Sequence, residues 1–387
     1  MNPQLTKLLA IAAQPSRHIM GLMSGTSLDG LDVALCRCVG HGATLQVVLE
    51  QFVTVPYEAG FRQRLRALSQ STIQLEDLVL LHAELARYHA QLVLMCLSDW
   101  QVPANKVDIL ASHGQTIWHA PRHQHGRAGF PHHATLQIGD GDHLAQLTGI
   151  ITLSDFRQKH VAAGYEGAPL APFADELLFR KSGVNRLLLN LGGIANFTLL
   201  PADGSPALAT DTGPGNTLLD AVVRQHHPGR AYDEGGQLAA QGQPHAGLLA
   251  ALRSHSFFAA PFPKTTGPEL FSPAYLLANQ QRTGTKNLPV PDVLATLIEL
   301  TASAVAQAAR HYLGAQPAAE ILVSGGGAHN ATLLAALARY LPAAHLRSTA
   351  TAGVPPDAKE AVLFAVLANE TLAGHPVLSL GKISLPG

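Results

Sequence analysis

Apolar residues recur at two spacings along this chain, and the switches between them mark out its elements. Short apolar runs bounded by glycine predict strands over residues 18–23, 31–39 and 44–55, with a glycine-rich turn between the first two. Leu75, Leu78, Leu81, Leu85, Leu92 and Met95 fall near helical spacing, so residues 73–100 read as one long amphipathic helix with an apolar stripe packed on a core. A buried strand at 107–112 runs into Ser112-His113-Gly114-Gln115-Thr116. After a histidine-rich loop come 135–139, a helix from Asp142, and a strand at 150–155. Residues 186–200 then restart the same grammar: strand, Gly192-Gly193 turn, strand. A strand at 207–210 leads to Asp211, helices follow at 216–227 and 292–313, and a strand at 320–323 delivers Gly325-Gly326-Gly327 into a helix near Asn330. The last helix spans 359–372. Two glycine-turn hairpins point to two related α/β domains, the number that 387 residues also suggest.

Composition narrows the chemistry. The 26 basic and 27 acidic residues leave a net charge of -1, so no global field draws the protein to nucleic acid or an anionic membrane, and any phosphate must be gripped locally. No apolar run approaches the roughly 18 residues that cross a bilayer. Cys36, Cys38 and Cys96 form no CxxC pair, which argues for a reducing compartment, the cytoplasm. The N-terminal stretch around Lys7 to Ala13 is too short for a signal sequence and reads as a frayed segment.

Three glycine clusters stand where strands end: Gly25 to Gly30, Gly192-Gly193, and Gly325-Gly326-Gly327. Glycine there lets backbone N–H groups approach phosphate oxygens. No G-x-x-x-x-G-K-[ST] occurs, and Gly139-Asp140-Gly141 lacks the third glycine of a dinucleotide fingerprint. Asp29, Asp32 and Asp211 are the carboxylates placed to serve phosphoryl transfer. Asp29 reads equally as a Mg²⁺ ligand or a turn residue, and Asp211 projects from a strand's carboxyl end. His119, His123, His125, His132 and His133 crowd one loop and read as solvated, with a transition-metal site as the rival. His113 reads either as a functional group or as a satisfied half-buried histidine.

Gly21-Leu22-Met23-Ser24-Gly25-Thr26-Ser27-Leu28-Asp29-Gly30-Leu31-Asp32 resembles the opening signature of the anhydro-N-acetylmuramic acid kinases, bacterial enzymes of cell-wall (peptidoglycan) recycling. Matching segments follow in order: residues 112–116, 136–139, Asp155-Phe156-Arg157, 167–170, 190–196, 211–216, Pro263-Lys264-Thr265-Thr266-Gly267 and 325–327. The resemblance implies a two-domain actin-like ATPase (ribonuclease H-like) fold with ATP in the interdomain cleft. It divides the chain into residues 1–166 with 358–387, and residues 167–357. It implies that ATP lies against Gly25, Thr26, Ser27, Leu28, Asp29, Gly30, Leu31 and Asp32, with Gly192, Gly193, Gly325, Gly326 and Gly327, and that Mg²⁺ lies at Asp29. Asp211 would be the general base, Glu360 would help hold the sugar and the attacking water, and His113, Thr116, Arg157 and Lys159 would bind substrate. A homodimer is implied as well. This chain departs from the family pattern at Gln158-Lys159-His160, where relatives carry Arg-Arg-Asp, at Tyr165-Glu166, and at Pro268 in place of arginine. Two other readings are an ordinary amino-sugar kinase of the same fold and a nucleotide-switched actin-like regulator.

Overall fold

The structure is a computed structural model that describes residues 2–68, 72–267, 269–314, 319–374 and 379–387. Two compact units emerge, Met1–Leu178 with Ala358–Gly387, and Phe179–Asp357. Residues 167–178 therefore go with the first unit, not with the second as expected. The reason is local: in the helix Ala171–Phe179 the buried Asp175 carboxylate is held by Lys359 Nζ at 2.9 Å, at the start of the closing helix Lys359–Ala373.

In the first unit, β1 (Ser16–Ser24), β2 (Gly30–Val39) and β3 (Gln46–Pro56) form an antiparallel meander, and β4 (Ile109–Ala120) and β6 (Ile151–Ser154) add in parallel on the other side of β1. The order is β6-β4-β1-β2-β3, with β5 (Ala134–Ile138) on the far half of β4 and the strand Lys382–Ser384 beyond β6. In the second unit, β7 (Arg186–Leu191), β8 (Ile194–Leu200) and β9 (Leu208–Pro214) make the meander, and β10 (Glu320–Ser324) and β11 (His345–Ser348) add in parallel to give β11-β10-β7-β8-β9. Strand order and directions are the same in both units. That duplicated mixed sheet is the ribonuclease H-like core of the actin-like ATPase fold.

Both cores follow from the sequence pattern. β1 and β2 alternate little because helices or loops bury both faces, and the helix Leu75–Asp99 contributes Leu81, Leu85, Leu92 and Val93 to the first core. Two residues expected on its stripe lie off it, Leu75 at 71% exposed and Met95 at 44% exposed, while Cys96 and Leu97 carry the buried face to the helix end. The helix Val290–Leu313 is the backbone of the second core. Among the described residues it alone is long and apolar enough to cross a membrane, and 83% of its apolar window is buried inside the unit.

Two expectations are overturned. The N-terminal segment is no frayed tail but the helix Pro3–Ala13, capped by Asn2 and tied down by Arg17. The Arg17 guanidinium, itself buried, donates to the carbonyls of Ile11 and Ala12 and to Asn369 Oδ1, so three neutral acceptors satisfy donors that burial takes from water. The strand at 107–112 does not end before His113. It continues as β4 to Ala120 because β5 supplies a new partner, and the crossing-over point is Gly114, whose φ of 71° and 2.3 Å approach of a notional Cβ to Ile138 O require glycine.

Candidate active site

β1 and β2 stay paired as far as Ser24 and Leu31, then part to form the turn at residues 25–29. Leu28 N–H donates to Gly25 O at 3.2 Å and closes the turn, with Leu28 at φ 59°. The Leu28 and Leu31 side chains are buried in the core, so only their backbone is open to a ligand. Thr26, Ser27 and Asp29 are exposed. The two end glycines differ in kind. A Cβ on Gly30 would meet Val55 O at 2.3 Å, so packing demands glycine there, whereas one on Gly25 would meet only Ser27 Oγ at 3.6 Å. Nothing inside the unit requires Gly25 to be glycine, which leaves its open approach for a ligand. Asp32 accepts from Thr54 Oγ1 at 2.6 Å across β2 and β3.

Beneath the turn runs a buried polar chain that sequence inspection did not find. Ser24 Oγ donates to Gln115 Oε1 at 2.5 Å, Tyr57 OH donates to Ser24 Oγ at 2.7 Å, and His89 Nε2 lies 2.7 Å from the Tyr57 hydroxyl. Since Tyr57 spends its proton on Ser24, His89 must donate from Nε2, and its buried Nδ1 is then the bare nitrogen, without a partner among the described residues. Burial holds His89 near a pKa of about 3, so the ring is neutral. Only the histidine within an apolar helical stripe could have signalled this chain in advance.

Arg157, in the helix Phe156–Ala162, gathers the second group. Its Nε donates to His113 Nε2 at 3.0 Å and its Nη1 to Gly167 O at 2.8 Å. Burial and then the Arg157 charge push His113 down to a pKa of about 3, so it is a neutral acceptor that orients the guanidinium. Glu360, in the first turn of Lys359–Ala373, reaches solvent but is ringed closely by protein. Desolvation raises its carboxyl above the usual range, against the opposing pull of Lys359 and then Arg157. Thr116 stands three residues beyond His113 with its hydroxyl accepting from Gln137 Nε2 at 3.1 Å. Lys159 is exposed and two residues from Arg157, so helical geometry turns it to another face. The structure thus brings together His113, Arg157 and, through its charge, Glu360, and leaves Lys159 outside that group.

In the second unit Asp211 lies inside β9, not past a strand ending at Thr210, because a bulge opposite Ala195 and Asn196 lets the strand continue to Pro214. Its N–H donates to Lys264 O at 2.9 Å, and its Oδ2 accepts from Thr266 N–H at 2.7 Å. Burial raises the Asp211 carboxyl to about 6, and the Thr266 amide offsets part of that rise. Thr266 Oγ1, also buried, has no partner among the described residues. Gly192 and Gly193 accept from the first amides of the helix Asn216–His226, Gly192 O from Asn216 N at 2.8 Å and Gly193 O from Thr217 N at 3.2 Å, and Gly193 O also from the preceding Gly215 N at 2.9 Å. Gly325 and Gly327 follow β10 and are forced by packing against Asn190 and Leu191, while a Cβ on Gly326 would meet only Asn216 Nδ2 at 3.7 Å.

The family model for anhydro-N-acetylmuramic acid kinase matches residues 17–380. The chain belongs to the anhydro-N-acetylmuramic acid kinase family. It is 47% identical over 401 residues to the anhydro-N-acetylmuramic acid kinase of Pseudoalteromonas atlantica, with 100% of each chain covered. To the enzyme of that name from Salinibacter ruber it is 38% identical over 395 residues, covering 98% of this chain and 99% of the other. Among solved structures, the activator of the 2-hydroxyisocaproyl-CoA dehydratase from Clostridium difficile is similar over 95% of this chain and 99% of its own, at 12% identity and a TM-score of 0.44. Where this family member departs from the expected pattern, the structure gives the new side chains partners. Glu166 pairs with His123 at 3.1 Å, and Tyr165 stacks on His160 with ring centroids 4.7 Å apart. Pro268 lies outside the described residues. In the histidine-rich loop, His125 Nδ1 accepts from Arg127 N–H and His133 Nδ1 from Arg122 N–H. Among the described residues no cluster of three metal-ligating side chains forms.

Proposed function

We propose that this chain uses ATP to phosphorylate 1,6-anhydro-N-acetylmuramic acid while water opens its anhydro bridge, giving N-acetylmuramic acid 6-phosphate. The observation that carries the reading is Asp211: a carboxylate raised to about 6 by burial and oriented by one backbone amide, in a chain of this kinase family. A base with a pKa near 6 is ionised at neutral pH and still basic enough to take a proton from water. As Asp211 removes that proton, the water oxygen bonds to the anomeric carbon and the bond from that carbon to the bridging oxygen breaks. The freed oxygen attacks the γ-phosphorus, and ADP leaves. No strong acid is needed at the leaving oxygen, because phosphorus receives it.

In this reading the turn amides around Gly25 hold phosphate oxygens, with the exposed Thr26 and Ser27 hydroxyls beside them. In the second unit Gly326, where a Cβ would meet only Asn216 Nδ2 at 3.7 Å, is the glycine with room for a ligand. The Arg157 guanidinium, pre-aimed by His113 and Gly167 O, binds the sugar together with Thr116, and Glu360 orders the water. Asp29 is exposed; its backbone carbonyl accepts from Tyr57 N–H at 3.1 Å, and its carboxylate has no hydrogen-bond partner among the described residues. A lone carboxylate fits Mg²⁺, which takes one or two protein ligands and otherwise keeps phosphate oxygens and waters. When bound, Mg²⁺ would neutralise charge on the transferring phosphoryl group. Lys159 stands outside the Arg157 group, so any part it takes at the lactyl carboxylate would be that of a separate point charge. We place the enzyme in the cytoplasm as a homodimer, the latter checked by light scattering.

The test is turnover in ¹⁸O-water with purified anhydro sugar, quenched early. The label is expected on the anomeric oxygen and absent from the phosphate, and ADP release is expected to require the sugar. Phosphate-bound label, or ADP release indifferent to sugar, would replace this reading with a slow nucleotide-switched ATPase. Turnover of ordinary N-acetylated amino sugars in place of the anhydro sugar would make it an ordinary sugar kinase.

A further inference from the structure

The side chain of Lys264 is enclosed in a way its sequence context does not explain. Its ammonium lies 2.8 Å from Phe257 O, 3.3 Å from Phe258 O and 3.5 Å from Ala260 O, at the carboxyl end of the short helix Ser256–Ala259. Two aromatic rings face the same nitrogen, Phe257 at 4.6 Å and Phe262 at 4.3 Å from their centroids. Three carbonyl dipoles and two π faces converge on one cation, a fixed geometry for a side chain that otherwise carries much rotamer freedom. The backbone of the same residue is zipped to β9. Lys264 N–H donates to Thr210 Oγ1 at 3.1 Å, and Lys264 O accepts from Asp211 N–H at 2.9 Å and from Thr210 Oγ1 at 3.3 Å. Two residues on, Thr266 N–H reaches Asp211 Oδ2 at 2.7 Å.

We infer that Lys264 is a positioning residue for Asp211: its caged ammonium pins residues 263–267 along β9, so that the Thr266 amide meets one carboxylate oxygen and aims the other. The catalytic part of this inference rests on the general-base role proposed above for Asp211, and the positioning part does not. The coupling runs through the backbone. Burial and the Thr266 amide are the two influences that move Asp211, and no charged group is among them. The charged neighbour of Lys264 itself is Arg253, whose guanidinium lies over the Phe258 ring and donates to Ser303 and Gln307. An electrostatic role for Lys264 would instead act directly on the carboxylate.

The experiment titrates the Asp211 carboxyl by ¹³C NMR in the full-length wild type, in Lys264→Met and in Lys264→Arg, and follows kcat and KM in parallel. Met keeps the length and the contact with the rings but offers nothing to the carbonyls. The segment should loosen, the Thr266 amide should leave Asp211, and the Asp211 titration should move to higher pH, because a donor to the charged form holds a carboxyl pKa down. kcat should fall by about tenfold or more with KM for ATP unchanged, and its acid limb should move up with the titration. Lys264→Arg should restore most of both. Should Lys264→Met not fold, Phe262→Leu removes one ring of the cage without emptying it and should move the titration in the same direction by less. An Asp211 titration identical to wild type in a folded Lys264→Met or Phe262→Leu protein overturns the inference. A shifted titration in an enzyme that does not turn over anhydro sugar leaves the positioning role standing and removes the proposed reaction instead.

Discussion

At the scale of single residues, the environment of a carboxylate or a hydroxyl sets what it can do. Asp211 must be ionised to act as base, so kcat should fall as pH drops through about 6, with both sugar phosphate and ADP declining together. Asp211→Asn should lower both by roughly 10²- to 10⁴-fold while ATP binding persists. The same burial carries a stability consequence. A carboxyl raised in the folded state destabilises that state at pH values above its folded pKa, and the penalty disappears as pH falls below the unfolded value near 3.8. Asp211→Asn is therefore expected to melt higher than wild type at pH 8 and to lose the advantage near pH 4, measured by calorimetry. Tyr57→Phe deletes the hydroxyl that joins His89 to Ser24, leaving buried His89 Nε2 unpaired and Ser24 Oγ with only its bond to Gln115, at a cost of about 1–3 kcal/mol in chemical denaturation, with loss of ATP affinity as the turn's anchor slackens. For Lys159→Ala a higher KM is expected for the acidic sugar and none for an analogue lacking the lactyl group. Equal loss on both would assign carboxylate recognition to Arg157. Glu166, a carboxylate that would repel an acidic substrate, is already engaged by His123.

Turns and strands sort their glycines by what surrounds them, and this gives a paired expectation at the scale of an element. Gly25→Val meets no backbone in the unit, so the protein should fold and melt near wild type while its ATP affinity, read by calorimetric titration, falls sharply. Gly30→Ala forces a Cβ toward Val55 O at 2.3 Å and should cost folding before it costs binding. The element pattern explains where sequence reasoning succeeded. The helices at Leu75–Asp99, Asn216–His226, Val290–Leu313 and Lys359–Ala373 carry 3.6-residue periodicity or clear stop signals, and all were legible within a few residues. The N-terminal helix was not, because its stability comes from Arg17 and Asn369, which no local pattern displays. β4 was read short for the same reason. Its second half is a strand only because β5 pairs with it beyond Gly114.

The whole molecule is built from one sheet order used twice, yet the two copies differ in how the chain completes them. The second unit is a single stretch, Phe179–Asp357, with its own core around Val290–Leu313, and expressed alone it should give a cooperative melt. The first unit needs its returning C-terminal segment. Gly21 lies so close to the closing helix that a Cβ would approach Ala361 O at 1.9 Å, and Asn369 and Glu370 bind the backbone of Gly40 and Gly42. Residues 1–178 alone should therefore fail to fold cooperatively by the same measurement. Family, reaction class and the doubled strand-turn-strand grammar were legible in linear order, because each rests on short motifs whose residues are neighbours in the chain, and the same motifs made Asp211, Arg157 and the glycine turns candidates. What supports those residues was not. His89 under Tyr57, His113 behind Arg157, and Lys264 in its cage beside Asp211 come from positions that the chain separates by tens of residues. Their effects on pKa and orientation arise from burial and from single hydrogen bonds, and both of these exist only after the sheets and helices have packed.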